Sequence, residues 1–285
     1  MIQKMQIYQG DCLEIMKTFD DEIIDLTVTS PPYDNLRTYK GFTFNFEGIA
    51  RELFRVTKQG GVVVWVVGDS TIKGSESGTS FKQALYFKEL GFNLHDTMIF
   101  HKHGMPTDPR LRYFQRFEYM FVFSKGKPKA YNPIADVKSS GRKNANGTDR
   151  KGDKLVVTTK RYDYPEYSIR GNVWEYDVRN MGGLHPAMFP EKLAEDHILS
   201  WSNEGDLVFD PFMGSGTTLI EAKLLNRNII GIDVNEKAYK ITEKNLNFEC
   251  KTSSHIHIRL CSAENIYFIK NNLTVNNFGH RHIFK

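Results

Sequence analysis

Short apolar runs, rich in β-branched residues, alternate with longer stretches of helical spacing along most of the chain. This alternation predicts strand–helix units that feed a mostly parallel sheet. The most strongly apolar strand is Val62–Val67, which follows a break in the pattern at Gly60-Gly61. The other predicted strands are Met5–Tyr8, Ile24–Thr29, Asn93–His101, Phe117–Phe123, Leu207–Asp210 and Asn228–Asp233. The predicted helices are Leu13–Phe19, Phe46–Val56, Phe81–Leu90, Pro186–Trp201, one after Asp210, and Glu236–Asn247.

Two neighbouring stretches interrupt this pattern with positive charge. Residues 138–161 hold eight Lys or Arg against two acidic residues, and residues 101–129 hold seven against two. The first stretch is also dense in Gly, Ser and Asn and shows little periodicity, which predicts a loop-rich insertion. Charge concentrated in this way is typical of a surface that binds phosphates, and the alternative is a solvated basic loop.

Composition restricts the class of protein. The chain has 285 residues, of which 40 % are hydrophobic and 25 % charged, as in soluble globular proteins. Its formal net charge of +4 permits a polyanionic partner without requiring one. Three scattered cysteines favour a reducing, cytoplasmic location over a disulfide framework. We expect no membrane span and no signal peptide, because the apolar runs are short and the N-terminus lacks an apolar core.

The strongest local motif is Asp-Pro-Phe-Met-Gly-Ser-Gly-Thr-Thr at residues 210–218, between a predicted strand and a predicted helix. Its glycines allow a tight turn, and the helix N-terminus offers free N–H groups to a carboxylate or phosphate. The next strand ends at Asp233, a position that often holds ribose hydroxyls in Rossmann-like units. Together they indicate a nucleoside-bearing ligand; the alternative is an incidental Gly-rich turn.

The second motif is Ser30-Pro31-Pro32-Tyr33, at the end of the strand Ile24–Thr29. Two prolines stop the strand because they lack a donor for the ladder, and they leave rigid carbonyls available. A hydroxyl and a carbonyl beside an aromatic ring suit a planar ligand with an exocyclic amino group. A strand-ending turn without chemistry is the alternative for this tetrapeptide alone.

Taken together and in this order, the two motifs resemble the beta class of DNA amino-methyltransferases, which use S-adenosylmethionine. The resemblance runs from Gln6 to about Asn247 and includes Gly10-Asp11-Cys12, Lys58-Gln-Gly-Gly61 and His185-Pro-Ala-Met-Phe-Pro190. It implies a Rossmann-like α/β fold: a seven-stranded, mostly parallel sheet with helices on both faces and a circularly permuted motif order. One departure is Asp233, where many relatives have Glu.

The resemblance implies a role for each motif. Asp210 would meet the ammonium group of the cofactor, and the amides of residues 214–218 its carboxylate, so a side chain at Gly216 would enter the space of that carboxylate. Asp233 would hold the ribose and Asp11 the adenine, with a turn former and a helix N-cap as their respective alternatives. The implied cofactor contacts are Asp11, Cys12, Phe189, Asp210, Pro211, Phe212, Gly214, Ser215, Gly216, Thr217, Thr218 and Asp233.

The implied reaction is methyl transfer to the exocyclic amine of a base flipped out of double-stranded DNA. Ser30 and Pro31 would accept the amino hydrogens while Tyr33 stacks on the ring, with Pro32 completing the catalytic motif. We expect N4 of cytosine as the target, with N6 of adenine as the alternative. The candidate DNA contacts are Arg110, Arg112, Arg142, Lys143, Arg150 and Lys151.

The same reading divides the chain into a catalytic half (1–124), a target-recognition insertion (125–180), a cofactor-binding half (181–250) and a C-terminal appendage (251–285). The sequence does not decide whether a cognate restriction endonuclease exists, or whether the protein is a monomer or a homodimer. Rival functions are an RNA or protein methyltransferase of the same fold, a nucleotide-binding dehydrogenase and a non-catalytic DNA-binding module. We assign no metal, because His101 and His103 lack a third ligand in the sequence.

Overall fold

The structure is a computed structural model that describes residues 4–32, 44–103, 113, 115–139, 144–161, 165–178 and 190–252. Two compact units are distinguished, Met1–Asn247 and Phe248–Lys285. Of the second unit, only residues 248–252 are described, as the end of the last helix. The predicted appendage at 251–285 therefore lies almost wholly outside the described residues. Within the described residues, no helix is both long and apolar enough to cross a bilayer.

Fourteen strands and six helices make up the described chain. The strands are β1 (Met5–Gln9), β2 (Ile24–Thr29), β3 (Thr57–Val67), β4 (Thr71–Ile72), β5 (Ser75–Glu76), β6 (Asn93–His103), β7 (Phe117–Ser124), β8 (Ala135–Lys138), β9 (Asn144–Lys151), β10 (Lys154–Arg161), β11 (Tyr167–Ile169), β12 (Val173–Asp177), β13 (Leu207–Asp210) and β14 (Asn228–Asp233). The helices are α1 (Cys12–Met16), α2 (Phe46–Val56), α3 (Thr79–Glu89), α4 (Glu191–Trp201), α5 (Thr217–Leu224) and α6 (Glu236–Thr252).

The main sheet has the order β1-β14-β13-β2-β3-β7-β6-β12, and only β7 runs antiparallel to its neighbours. This confirms the predicted mostly parallel α/β fold. The strand number differs from the prediction: the described sheet has eight strands instead of seven. The additional strand is β12, which forms the edge of the sheet, pairs with β6 and buries Trp174 and Tyr176. It lies in the predicted insertion at 125–180, C-terminal to the stretch 138–161 that we expected to be loop-rich.

The core lies on both faces of the sheet, as predicted. Along β3, Val62, Val64 and Val66 join the apolar cluster under α4, α5 and α6. The residues between them, such as Trp65, join the cluster under α1, α2 and α3. A strand that is buried on both faces reads as a continuous apolar run, which is why β3 is so conspicuous in the sequence.

The strand β3 begins five residues before Val62, so the glycine pair lies inside it. Gly60 has a φ of +81°, and the sheet register shifts there, from Ile24 opposite Thr57 to Leu26 opposite Val62. The expected break is therefore an irregularity within one strand. A Cβ at Gly60 would lie 3.2 Å from the carbonyl oxygen of Lys127. Glycine at this position therefore also allows the backbone at Lys127 to approach β3 closely.

The predicted loop-rich insertion contains two short antiparallel pairs, β9 with β10 and β8 with β11. The β9–β10 hairpin turns at Gly152-Asp153, and Lys151 pairs with Lys154 across the turn. Its first strand is Asn-Ala-Asn-Gly-Thr-Asp-Arg-Lys, a sequence of low strand propensity. The sequence of β9 alone therefore does not indicate a strand, because its extended conformation depends on pairing with the β-branched residues of β10.

Candidate active site

Four neighbouring parallel strands end at one edge of the sheet, in the order β1, β14, β13 and β2. Asp11 follows β1, Asp233 ends β14, Asp210 ends β13 and Ser30 follows β2. Open α/β sheets bind ligands in the crevice at the carboxyl ends of their strands. The fold thus brings together four predicted site residues that are spread over more than 200 positions of the chain.

The loop after β13 turns back over the end of β14. The Met213 N–H donates to the carbonyl of Ile232 at 3.0 Å, and the Gly216 N–H donates to the carbonyl of Met213 at 2.7 Å. Gly214 and Gly216 have φ angles of +55° and +89°, which favour glycine. Gly216 is the N-cap of α5 and provides no side-chain cap, so the first N–H groups of this helix stay available to a ligand.

Close packing under the loop depends on a third glycine. A Cβ at Gly231 in β14 would lie 2.7 Å from the sulfur of Met213, and it would also collide with Leu219 of α5. The missing side chain lets the loop and the start of α5 rest directly on the strand, as in nucleotide-binding βαβ units.

Asp210 is buried, and its Oδ1 accepts hydrogen bonds from the Thr29 hydroxyl at 2.6 Å and from the Phe212 N–H at 3.0 Å. Burial raises the pKa of this carboxyl to about 6, against the lowering effect of its hydrogen bonds. These donors, and the Thr218 hydroxyl that also lowers the pKa of Asp210, are all neutral. The carboxylate is therefore an acceptor in a poorly solvated position, which suits a cationic ligand group.

Two hydroxyl groups join β2 to the elements of the second motif, one at the end of β13 and one in α5. Thr29 contacts Asp210, as described, and the buried Thr218 donates from its hydroxyl to the carbonyl of Val28 at 3.2 Å. Thr218 was a predicted site residue, whereas Thr29 was not. Its position directly before Ser30, at the end of a buried strand, is the signal that could have identified it.

Asp233 and Asp11 both have structural roles that the sequence offered as alternatives. Asp233 accepts from the N–H of Gly214 at 2.9 Å and from the N–H of Asn235 at 2.7 Å. It therefore fixes both the turn after β14 and the loop at residues 211–216, which we call the Gly loop. Asp11 is the N-cap of α1 and accepts from the Leu13 N–H at 2.8 Å. The parallel pairing of β1 with β14, continued by the Gly10 N–H that donates to the Asp233 carbonyl at 3.0 Å, brings the two acids to neighbouring strand ends.

Cys12 is buried at the start of α1 in the apolar cluster beneath it. Burial raises the pKa of its thiol to about 12, with the nearby charge of Asp11 as the second cause. The thiol is therefore protonated at neutral pH and is a poor nucleophile. Its predicted cofactor contact would be one of packing.

The remaining loop residues line the same turn. Pro211 and Ser215 are buried, and Thr217 is the half-buried first residue of α5. The Phe212 ring packs edge-on against Phe44 and Trp65, with centroids 5.8 and 6.3 Å away. Phe212 therefore joins the loop to the core below α2 and α3.

Ser30, half-buried, and Pro31, buried, stand at the end of β2 next to Asp210. Pro32 follows, half-buried. Tyr33 lies outside the described residues, and so do residues 185–189 of the His185–Pro190 motif, which include Phe189. Pro190 is described and is the N-cap of α4, which begins five residues later than predicted within the described chain.

Four of the predicted DNA contacts also lie outside the described residues, namely Arg110, Arg112, Arg142 and Lys143. The backbone positions of Arg150 and Lys151 are described at the end of β9, next to the hairpin turn. His103 Nδ1 lies 2.8 Å from Glu175 across the β6–β12 pair, and His101 lies 3.8 Å from the same carboxylate. Among the described residues, no group of three or more His, Cys, Asp or Glu could hold a metal ion.

Comparison with known sequences gives consistent matches. Residues 24–244 match the model of a protein family described as DNA methylase. The chain is 56 % identical over 237 residues to the orphan methyltransferase M.BamHII of Bacillus amyloliquefaciens, covering 79 % of this chain and 89 % of that protein. It is 30 % identical to the type II methyltransferase M.BglII of Bacillus subtilis, covering 82 % and 66 % of the two chains.

Solved structures agree with the fold. A complex of M1.HpyAVI with SAM superposes with a TM-score of 0.60 at 25 % identity, covering 85 % of this chain and 99 % of that one. The cytosine-N4-specific PvuII DNA methyltransferase superposes with a TM-score of 0.63 at 22 % identity, covering 85 % and 86 %. Both carry the class I methyltransferase architecture.

Proposed function

The chain belongs to the DNA methylase family and is a site-specific DNA methyltransferase of the N4/N6 group that uses S-adenosylmethionine, and we propose that its target atom is N4 of a flipped cytosine. The substrate is double-stranded DNA. The observation that supports methyl transfer to an exocyclic amine is the junction of β2 and β13. There the Thr29–Asp210 hydrogen bond of 2.6 Å fixes Ser30-Pro31 beside the Gly loop. The acceptors for an amine and the site for a methyl donor then share one crevice.

The described residues fit the methionine end of this cofactor. Asp210 would receive the ammonium group, which would supply the positive charge that its neutral donors lack. The N–H groups of Ser215, Thr217 and Thr218 would receive the carboxylate at the start of α5, since the Gly216 N–H already donates to the carbonyl of Met213. When bound, S-adenosylmethionine supplies an electrophilic methyl group on its sulfonium.

Asp233 and Asp11 would receive the ribose and the adenine of the cofactor. Each carboxylate already accepts backbone hydrogen bonds, from Gly214 and Asn235 for Asp233 and from Leu13 for Asp11. An ionised carboxylate has about four acceptor sites, so one carboxylate can take part in structural bonds and in ligand binding together. The same bonds hold each carboxylate in a fixed orientation at its strand end.

The chemistry on the DNA side is orientation of a weak nucleophile. An exocyclic amine has a lone pair conjugated with its ring, and in a duplex it is paired and unreachable, so the base must leave the stack. In the proposed complex, the Ser30 hydroxyl and the Pro31 carbonyl accept the two amino hydrogens and direct the lone pair toward the methyl group. Tyr33 stacks on the flipped ring and offsets part of the unstacking cost.

The choice of cytosine rests on the residue at position 30. Ser-Pro-Pro-Tyr resembles the cytosine-N4 form of the motif, whereas N6-adenine members more often carry Asp or Asn in place of this Ser. A neutral hydroxyl is sufficient in principle, because the amine needs an oriented acceptor more than a full charge. N6 of adenine is the alternative target, and it would use the same residues.

The DNA would contact basic residues that flank the crevice. We assign this role to Arg110, Arg112, Arg142, Lys143, Arg150 and Lys151, which belong to the two stretches where positive charge is concentrated. Such contacts position the duplex but carry little sequence information. The insertion at 125–180 is the proposed reader of the target sequence.

Mass spectrometry of nucleosides tests the proposal. DNA incubated with the protein and S-adenosylmethionine should yield N4-methylcytosine. Ser30→Ala should reduce this yield by about ten- to a hundredfold, since one oriented acceptor at the reacting amine is lost, while cofactor affinity stays within about twofold. N6-methyladenine as the sole product would overturn the choice of cytosine. The absence of any methylated base across genomic DNAs would overturn the reaction itself.

A matched control is Ser200→Ala. Ser200 is buried in α4 and donates to the carbonyl of Asp196 at 2.7 Å, on a helix that carries none of the proposed amine acceptors. This variant loses the same hydroxyl group, so its methylation rate should stay near that of the wild type. An equal loss of activity in both variants would show that the effect at Ser30 is one of stability.

A further inference from the structure

The Gly loop is held from behind by α6, a helix that provides none of the residues assigned above. The Thr242 hydroxyl donates to the carbonyl of Gly214 at 2.9 Å, and the Asn245 side-chain amide donates to the carbonyl of Ser215 at 3.2 Å. Residues three apart lie on one face of a helix, so the two donors act on successive carbonyls of the loop. Thr242 is fully buried.

These two bonds set the direction of the loop amides. A trans peptide unit is planar, and its C=O and N–H groups point in opposite directions. With its carbonyl directed at Thr242, the Gly214–Ser215 peptide turns the Ser215 N–H away from α6. The next peptide has its carbonyl on Asn245, and its N–H, from Gly216, closes the turn onto Met213.

The contact between α6 and the loop is also close in space. A Cβ at Gly216 would lie 2.7 Å from Cγ2 and 2.9 Å from Oγ1 of Thr242. A side chain at 216 would therefore meet Thr242 first, which adds a second reason for glycine to the expected conflict with the carboxylate. Gly216 is required because Thr242 fills the space behind it and because its φ is +89°.

We propose that Thr242 and Asn245 are positioning residues of the cofactor site, which set the orientation of the loop amides and thereby the affinity for the carboxylate of S-adenosylmethionine. The inference rests on the proposed placement of that carboxylate at the loop. Glycines on both sides of Ser215 make rotation of its peptide units sterically easy. The hydrogen bonds from Thr242 and Asn245 therefore help to select one orientation of these peptide units.

The test compares two ligands by calorimetry in the full chain. Thr242→Val keeps the volume of the side chain and removes the donor. We expect the Kd of S-adenosylmethionine to rise about three- to tenfold, which corresponds to one hydrogen bond. The KM for the cofactor should rise in parallel, with kcat at saturation within about twofold. Thr242→Ser keeps the hydroxyl and should restore the wild-type Kd.

The second ligand is 5′-methylthioadenosine, which has the adenosine and sulfur but no amino-acid carboxylate. Its Kd should be the same in the wild type and in Thr242→Val. A parallel loss for both ligands would overturn the proposal, as would an unchanged Kd for S-adenosylmethionine. If Thr242→Val does not fold, Asn245→Ala, which alters a partly buried side chain, carries the same comparison and the same two outcomes.

Thr57→Val is the control for stability. Thr57 is also fully buried, and its hydroxyl donates to the carbonyl of Leu53 at 2.6 Å, beside α2. This variant should lower the Tm by a similar amount while the cofactor Kd stays unchanged. Weakening of the cofactor by Thr57→Val would show that general destabilisation explains both. Failure of the wild type to bind S-adenosylmethionine would instead contradict the proposed placement of the cofactor.

Discussion

Asp210 has opposing effects on ligand binding and on the stability of the fold. It is buried, its donors Thr29, Phe212 and Thr218 are all neutral, and burial raises its pKa from 3.8 to about 6. Holding the charged form at neutral pH therefore costs the folded state on the order of 3 kcal/mol. A bound ammonium group would offset this free-energy cost. The charged form of Asp210 is therefore stabilised mainly when the ligand is bound.

Asp210→Asn separates the two effects. The amide oxygen can still accept from Thr29 and Phe212, but no charge remains, so the unfolding free energy without ligand should rise by about 1–3 kcal/mol at pH 7.5. The Kd of S-adenosylmethionine should rise at least about tenfold, because a charged hydrogen bond is lost. Urea unfolding and calorimetry measure the two quantities. A less stable variant, or one with wild-type affinity, would contradict this account.

The pH dependence gives an internal check on the same residue. Between about pH 4 and pH 6, the folded wild type holds a proton on Asp210 that the unfolded chain has lost. The contribution of this group to stability therefore decreases as the pH rises through that range. The Asn variant should lack this contribution, so the gap in stability between the two proteins should widen from pH 4 to pH 7.

Sequence motifs located the charged residues at this edge of the sheet but gave only part of what each one does. Asp11 and Asp233 were offered as ligands or as local structural acids, and their hydrogen bonds to Leu13 and Gly214 are structural. The role of Thr29 was missed because its partner Asp210 lies 181 positions away. Such a contact depends on which strands are neighbours, and periodicity along the chain contains no such information.

At the scale of elements, sequence prediction succeeded for segments whose own apolar spacing shows whether they are helix or strand. The helix Phe46–Val56 and the strands Ile24–Thr29, Leu207–Asp210 and Asn228–Asp233 have the predicted bounds. These segments are amphipathic or buried, so apolar spacing follows their period. The β9–β10 hairpin was missed because half of it is polar and is extended only through its partner.

The β9–β10 hairpin makes the DNA proposal specific to one element. Replacing Arg150 and Lys151 with Ala should reduce the slope of log Kd against log salt concentration by about 1–2, because each phosphate contact contributes about 0.9. Affinity for S-adenosylmethionine should not change. Fluorescence anisotropy with a duplex at several salt concentrations measures the slope.

The control for this experiment is a pair of exposed lysines on α3. Lys82→Ala and Lys88→Ala together remove the same charge from a helix that we do not assign to the DNA surface. Their slope should match that of the wild type. Equal reductions in both double variants would indicate a general charge effect, and an unchanged slope in the hairpin variant would remove the hairpin from the DNA surface.

At the scale of the whole molecule, the two predicted halves are interleaved in one sheet. β1 of the first half lies beside β14 of the second, and β2 lies between β13 and β3. The apolar cluster under α4–α6 likewise includes Val64 and Leu26 from the first half together with Ile229 and Leu219 from the second. Two segments that share a core and a sheet have no reason to unfold separately.

We therefore expect S-adenosylmethionine to stabilise the molecule as a unit. At a free concentration of 100 times Kd, the gain should be about 2.7 kcal/mol, and NAD should give none. Hydrogen exchange followed by mass spectrometry should show slower global exchange in β2 and β3 as well as in β13 and β14, although only the last two carry the cofactor loop. Asp210→Asn, with a Kd at least about tenfold higher, should gain at most about 1.4 kcal/mol at the same cofactor concentration. Protection confined to β13 and β14, with a second unfolding transition for β2 and β3, would mean that the shared sheet does not couple the amine acceptors to the cofactor site.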